Sequence, residues 1–454
     1  MCFGQPLFAQ TSLDGQQLIA DSLDKTPSED LLKNRKPRTK HFGRAVAWLG
    51  IAEVTPWIFD RYVANMDYAR ISFKTVGHNL KLSSWSWDKD PFQTNQFGHP
   101  YHGSLFFSSF RANGYSFWES VPAVFVGSYI WETFAENEPP SPNDFVNTSF
   151  GGIVLGEMTY RLSNKIVNER SRGFKRQASE IAGFLLNPMN GLTRITTGKW
   201  GRVSRRKDAD TSRVSAEFDI GLRKFSTNSS SEKFAWFGKV KLLYGNPYEN
   251  YRTPFSNMYI NAELGQDDSS KVNVINVYGS LAGWEIKSNE KLKHLAVLSA
   301  NYDYINNEAF FYSGQSVRIN TYSEYKLSNE LKLNTGFSAG AVILAAVPDQ
   351  YLYNTRNYNY TSGANIGAGG GISIAEKLYC GFDYRGSWLK TINGNSSHYF
   401  LHSLTGDFRY LIGNGLSVTA QPGYLNLYAN YRDFKDVNRK YPYLRISARY
   451  NVAL

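Results

Sequence analysis

Imidazole and carboxylate side chains collect in one stretch of the chain. His99 and His102 stand three apart, Glu132 and Glu136 four apart, and Asp144 and Glu157 follow. On a helix, spacings of three and four bring side chains to one face. These residue types could therefore supply a metal site or a general acid/base pair. Other readings compete. Pro100 lies between the histidines and disfavours a regular helix at His99. Asp144 is accounted for by a helix cap, and Glu132 and Glu136 by a solvated helix face. A structural polar network is the first reading, lipid or glycan headgroup binding the second, and metal binding or catalysis the third. No cofactor is implied.

The elements that would position these groups read mostly as helices over 43–195. Arg44–Tyr62 is apolar, with Pro56 expected to kink it. Ser116 and Glu119 have the spacing of a capping box ahead of an apolar run to about Phe134. Pro122 sits awkwardly for that start and moves the expected first turn toward Ser120. Ser141 is a good N-cap, Pro142 suits the first helical position, and Asp144 complements the dipole. That helix is expected to run through Asn147, Gly151, Gly152 and Gly156 to about Arg161. Gly152 and Gly156 give it a small face for close helix contact. A further helix is expected over 173–187.

Taken in order, the rare elements carry a resemblance. They are Gly98-His99-Pro100-Tyr101-His102-Gly103-Ser104, Trp131-Glu132, Glu136-x-Glu138-Pro139-Pro140-Ser141-x-Asn143-Asp144, Asn147-x-x-x-Gly151-Gly152 and Gly156-Glu157. This block resembles an uncharacterised bacterial family that joins such helices to an outer-membrane-like barrel. The resemblance covers roughly residues 40–200, and the barrel by pattern alone. More remotely, the order His, Glu, Pro-Ser-x-x-Asp, Gly-Gly is similar to VanZ-like helical membrane proteins. Neither likeness implies a known reaction. The binding candidates are His99, His102, Glu132, Glu136, Asn143, Asp144, Asn147 and Glu157. Gly98, Gly103, Ser116, Glu119, Pro139, Pro140, Ser141, Gly151, Gly152 and Gly156 form the structural frame of the motif.

From about Arg213 the period changes to two. Leu444, Ile446, Ala448, Tyr450 and Val452 form one row, and Tyr443, Arg445, Ser447, Arg449 and Asn451 the other. Successive strand side chains point to opposite faces, so one face is apolar and the other polar. Phe400, Leu404, Phe408, Tyr410 and Ile412 repeat the device against Ser403, Thr405, Asp407 and Arg409. In 415–431 the apolar row moves from Leu416, Val418 and Ala420 to Leu425, Leu427 and Ala429. A bulge at Pro422-Gly423 is the expected cause. About twelve such segments occur, joined by connections that alternate short and long, with longer polar ones expected near 347–356, 392–397 and 432–438. An even count, alternating turns and tyrosines near strand ends favour a transmembrane antiparallel β-barrel over a soluble sandwich. Only a closed barrel leaves no unpaired strand edge in lipid.

Composition agrees with this class. The 454 residues hold 30 Tyr, 29 Phe and 38 Gly, with 50 basic against 39 acidic side chains. Mean hydropathy is −0.41, which argues against a polytopic helical membrane protein. Two cysteines, Cys2 and Cys380, exclude a disulfide framework. Residues 1–10 resemble the back end of a secretory leader and 11–42 a solvated linker. The helical domain then spans 43–210 and the barrel 211–454. Basic residues from Lys165 to Arg213 fit a collar near lipid phosphates or a solvated junction, and no nucleic-acid partner is expected. A barrel hydrolase would need Ser and His two apart on one strand face. Here His402 adjoins Ser403 and they face opposite ways. The expectation is a bacterial outer-membrane barrel whose helical domain, periplasmic or plugging the lumen, binds envelope lipid, a polymer or another envelope protein. An envelope enzyme using the His/Glu/Asp cluster and a passive pore are the rival readings.

Overall fold

The computed structural model describes residues 39–204, 212–226, 234–266, 270–307 and 310–453. The expected leader remnant at 1–10 and nearly all of the linker at 11–42 lie outside the described residues. So do Arg205, Arg206 and Lys207 of the basic run. Residues 39–204 and those from Ser212 onward belong to different compact units, one helical and one a barrel.

In the helical unit, α1 (Phe42–Ile58) runs into a π-helical turn (Phe59–Val63), and a short α2 (Phe73–Asn79) follows. A second π turn (Thr94–Gly98) leads into α3 (His99–Arg111), and α4 (Phe117–Ile130) ends in a third (Trp131–Ala135). Next come α5 (Pro142–Val146), a fourth π turn (Asn147–Gly151), α6 (Gly152–Ile166), α7 (Gly173–Leu186) and α8 (Pro188–Thr196). The Ser116/Glu119 capping box forms reciprocally, Ser116 N donating to Glu119 Oε2 at 2.9 Å and Glu119 N to Ser116 Oγ at 3.4 Å. The helix therefore starts at Phe117, not near Ser120. Pro122 removes one ladder bond from a helix whose end is already secured.

Helix α3 also departs from expectation. His99 is in the right-handed helical region although proline follows it, and its N–H reaches Thr94 O, five residues back. The wider π turn relaxes the crowding that Pro100 imposes on the preceding backbone. The small face expected at Gly152 and Gly156 is used. A Cβ on Gly152 would stand 2.5 Å from the Gly103 carbonyl carbon, and one on Gly156 2.8 Å from the Phe107 side chain. The α3 and α6 backbones thus pack at a distance that only glycine permits.

The barrel comprises β1 (Val214–Phe225), β2 (Ala235–Tyr244), β3 (Met258–Gly265), β4 (Val272–Ser288), β5 (Leu292–Asn306) and β6 (Phe311–Lys326). It continues with β7 (Leu331–Tyr353), β8 (Arg356–Ile374), β9 (Leu378–Asn393), β10 (Ser397–Gly413), β11 (Leu416–Tyr431) and β12 (Val437–Ala453). Each strand pairs antiparallel with its sequence neighbours, and β1 closes on β12 from Ser215↔Ala453 to Phe225↔Tyr443. The expected fold class holds: a closed twelve-stranded antiparallel barrel with an N-terminal helical region. The connection expected near 347–356 is instead mostly strand. β7 and β8 run on to a tight turn at Asn354-Thr355, where both residues have positive φ.

Apolar side chains such as Phe218, Ile220, Phe382, Phe408 and Ile446 are exposed on the outside. Charged ones line the inside and are buried. Glu217 and Asp219 lie directly across from Lys241 and Lys239, so opposite charges meet as cross-strand pairs. Arg449 binds Asp219 through Nε at 2.6 Å and Nη2 at 3.2 Å. Arg223 and Arg445 oppose each other across β1 and β12, and Glu263 of β3 binds both.

The expected bulge at Pro422-Gly423 is absent. β11 pairs with β12 without interruption from Leu416↔Tyr450 to Ala429↔Val437. Leu425, Leu427 and Ala429 accordingly face inward, into a buried cluster with Tyr399, Leu401 and Tyr441. The outer row beside them turns polar, with Asn426 Nδ2 donating to Asn438 and Tyr428 OH to Asp436. The apolar row changes sides because the barrel's own polarity inverts along its axis.

Candidate functional site

The site is built where three π turns meet the first turn of α5. Wide turns of this kind re-aim side chains and recur at functional sites. Ser141 caps α5 by accepting from Asp144 N at 3.4 Å, and its hydroxyl donates to Asn143 Oδ1 at 2.6 Å. Asn143 Nδ2 then donates to Asp88 Oδ1 at 2.6 Å and to Asp144 Oδ1 at 2.9 Å. Asn95 Nδ2 holds the same Asp88 carboxylate at 2.9 and 3.1 Å. From the third π turn, Glu132 Oε2 accepts the Ser141 N–H at 2.8 Å. Trp131 Nε1 donates to Glu136 Oε1 at 2.6 Å. Pro139 and Pro140 shape the approach to Ser141, and Pro140 O accepts from Ser86 N at 3.0 Å. Neither glutamate forms the solvated face that spacing suggested, and Glu132 is only 1% exposed.

His99 Nε2 lies 3.5 Å from Asp144 Oδ1, while its Nδ1 is 3.3 Å from Thr148 Oγ1. Burial pushes His99 down to about 4 and holds Asp144 well above the carboxylate range, with Asp88, Glu132 and Glu136 adding repulsion. The contact is therefore a neutral acid–imidazole pair, not an ion pair. Glu132 is raised well above its usual value by burial and by Glu136, and burial raises Glu136 to about 8. Burial thus favours the neutral forms of Glu132, Glu136 and Asp144.

Not every expected member joins it. His102 packs against Phe106 and Trp131, with ring centroids 4.4 Å away in each case, and its Nε2 is 2.9 Å from Ala52 O. The two histidines therefore do not converge. Glu157 is held elsewhere, accepting from Arg111 Nε at 2.6 Å and Arg161 Nε at 2.8 Å. Asn147 is fully buried, and both its amide atoms lack a partner among the described residues. Among the described residues no three His, Cys, Asp or Glu side chains form a group able to hold a metal ion. The arrangement places several titratable groups within hydrogen-bonding distance of one another.

Sequence reasoning missed Asp88, Asn95 and Glu53. The first two lie in an aperiodic stretch and gave no signal. Glu53 gave one, as the lone acid inside an apolar helix. Its carboxyl oxygens have no partner among the described residues, and burial lifts it to about 9. The unfolded chain releases this proton near 4.5 while the folded chain keeps it. The stabilisation is complete below that lower value and is lost as pH rises toward about 9. Glu53→Gln is expected to flatten this slope, which amounts to about 1.4 kcal/mol per pH unit for one proton. Hydrogen exchange of the α1 amides between pH 5 and 9 measures it. An unchanged slope in the variant would rule out Glu53 as the source.

Comparisons with known proteins meet the structure here. Residues 84–189 match the model of a domain of unknown function, DUF3943. That match spans about a quarter of the chain and takes in every member of the nest. No curated protein matches the chain. Solved structures that do match include the NanC porin, 8% identical with a TM-score of 0.30, covering 51% of this chain and 98% of that one. An outer-membrane channel of Pseudomonas putida F1 is 9% identical with a TM-score of 0.31, covering 55% and 100%. The KdgM porin is 9% identical with a TM-score of 0.26, covering 51% and 98%. The barrel assignment rests on this chain's own strand pairing.

Proposed function

We propose that the chain is an integral protein of the bacterial outer membrane, with the barrel as a closed anchor and the helical unit engaging envelope lipid. The observation that carries the membrane reading is the inverted barrel. Its exposed outer rows are apolar and its buried inner rows are charged, the reverse of a soluble protein and the pattern of a lipid-embedded one. On β12 the apolar outer row runs from Leu444 to Val452, close to the span a tilted strand needs. The closed-anchor reading is supported by the inner ion pairs, since Arg223, Lys241 and Glu263 have no solvent exposure. The buried aromatic and aliphatic cluster around Leu401 and Tyr441 supports the same reading.

Two measurements test it. The refolded protein is expected to partition with detergent and to migrate faster on electrophoresis before boiling than after. In planar bilayers it is expected to show no stepwise conductance. Stable conductance steps would overturn the closed anchor, and partition into the aqueous phase would overturn the membrane reading itself.

A further inference from the structure

The helical unit also leaves apolar side chains exposed while burying ion pairs. α7 turns an ion pair inward: Arg176 Nη2 binds Glu180 Oε1 at 2.6 Å, and Arg194 Nε of α8 binds Glu180 Oε2 at 2.8 Å, all three side chains buried. Two residues read from sequence as part of a basic surface, Arg176 and Arg194, are thus interior. The opposite face of α7 carries Phe174, Ile181 and Leu185, exposed by 88%, 52% and 72%. Their positions, with Ala178 between, follow the helical repeat and make one continuous stripe. α1 likewise exposes Val46, Val54 and Ile58, and it buries Glu53 beside Ala45, Leu49 and Ala52 while Arg44 turns to Asn113. On α4, Val126 and Trp118 face out, and Ser120 and Ser128 are buried together with Phe117, Ala123 and Val124.

Both features are uncommon in a water-soluble bundle, because charged residues are rarely buried and large apolar stripes rarely left in water. No helix among the described residues is long and apolar enough to cross a membrane. At its N-terminal end α7 is fringed by exposed Arg170, Arg172 and Lys175, which match anionic lipid phosphates. Apolar stripe, inward ion pairs and basic fringe together fit a helix lying in the interface plane.

We infer that the exposed faces of α7, α1 and α4 are seated in the acyl and headgroup region of a phospholipid leaflet, with the basic end of α7 at the phosphates. This deepens the proposal above and rests on its claim that the barrel is in lipid.

The test uses the full chain with both native cysteines replaced by serine, reconstituted in vesicles of phosphatidylethanolamine and phosphatidylglycerol. Single cysteines are introduced by Phe174→Cys, Leu185→Cys, Val54→Cys, Glu138→Cys and, on the barrel's outer row, Phe382→Cys. Each is labelled with an environment-sensitive fluorophore, and folding is checked by the unboiled electrophoretic shift. Probes at 174, 185 and 54 are expected to emit to the blue of the 138 probe. Spin-labelled lipid should quench them several-fold more than iodide does, and the 138 probe should behave in reverse. Equal iodide quenching at 174, 185 and 138, with the 382 probe in lipid, would overturn this inference alone. Probes at 174 and 185 shielded from both quenchers would also overturn it, since a protein then covers the stripe. An aqueous probe at 382 would bring down the membrane reading itself.

Discussion

Glu263→Leu is expected to unfold the barrel at markedly lower denaturant, losing about 3–5 kcal/mol. Arg223 and Arg445 sit directly opposite each other on β1 and β12, where like charges repel. Glu263 from β3 neutralises both, one carboxylate oxygen to each guanidinium, and all three groups are buried. Leucine there removes the carboxylate that bridges two adjacent interior cations. Removing one cation as well, in Glu263→Leu with Arg445→Met, is expected to recover more than half of the loss, because an apolar replacement of a buried ion pair is often tolerated. Urea titration of the folded protein in micelles, followed by the unboiled electrophoretic band, reads both. A single variant as stable as the parent would show that water reaches these charges, and the lumen would then be open.

Gly103→Ala is expected to be the corresponding lesion in the helical unit. The added methyl would stand 1.9 Å from the Thr148 carbonyl oxygen and 3.1 Å from the Gly152 Cα. Backbone cannot swing aside as a side chain can, so α3 and α6 must separate. Overpacking typically costs about 1–3 kcal/mol, and the upper end is expected here. Since α3 carries His99 and the π turn before α6 carries Thr148, which lies 3.3 Å from the His99 ring, the nest should loosen with it. Hydrogen exchange over 99–111 and 152–166 in the full chain is expected to accelerate. Gly98→Ala is the control, since a Cβ there meets nothing within 4 Å. Equal exchange in the two variants would contradict the close helix contact.

Period and punctuation alone carried the barrel: strand count, antiparallel order and the polar lining of most strands were legible in 213–454. They are legible because side-chain alternation is a local property of an extended chain. The capping box at Ser116 and the cap at Ser141 were legible for the same reason, each being settled within four residues. Pro422 shows the limit. The switch of the apolar row was visible, but its cause was not, because a strand cannot reveal that its lumen turns from charged to apolar.

The candidate site lay further beyond reach. Sequence supplied His99, Glu132, Glu136, Asn143 and Asp144 as types, and it also offered His102 and Glu157, which the fold sends elsewhere. Asp88 enters the nest across 55 residues of chain, through its bond to Asn143, and no periodicity records such a meeting. Whether a carboxylate is an ion or a neutral acid depends on what surrounds it. Glu157 and Glu180 meet arginines, whereas Glu132 and Asp144 meet amides, a hydroxyl-capped turn and an imidazole. Local pattern determined the strands, the caps and the inventory of ionisable groups. The tertiary structure alone decided which of those groups share a dry interior, because desolvation and charge pairing arise between segments distant in the chain.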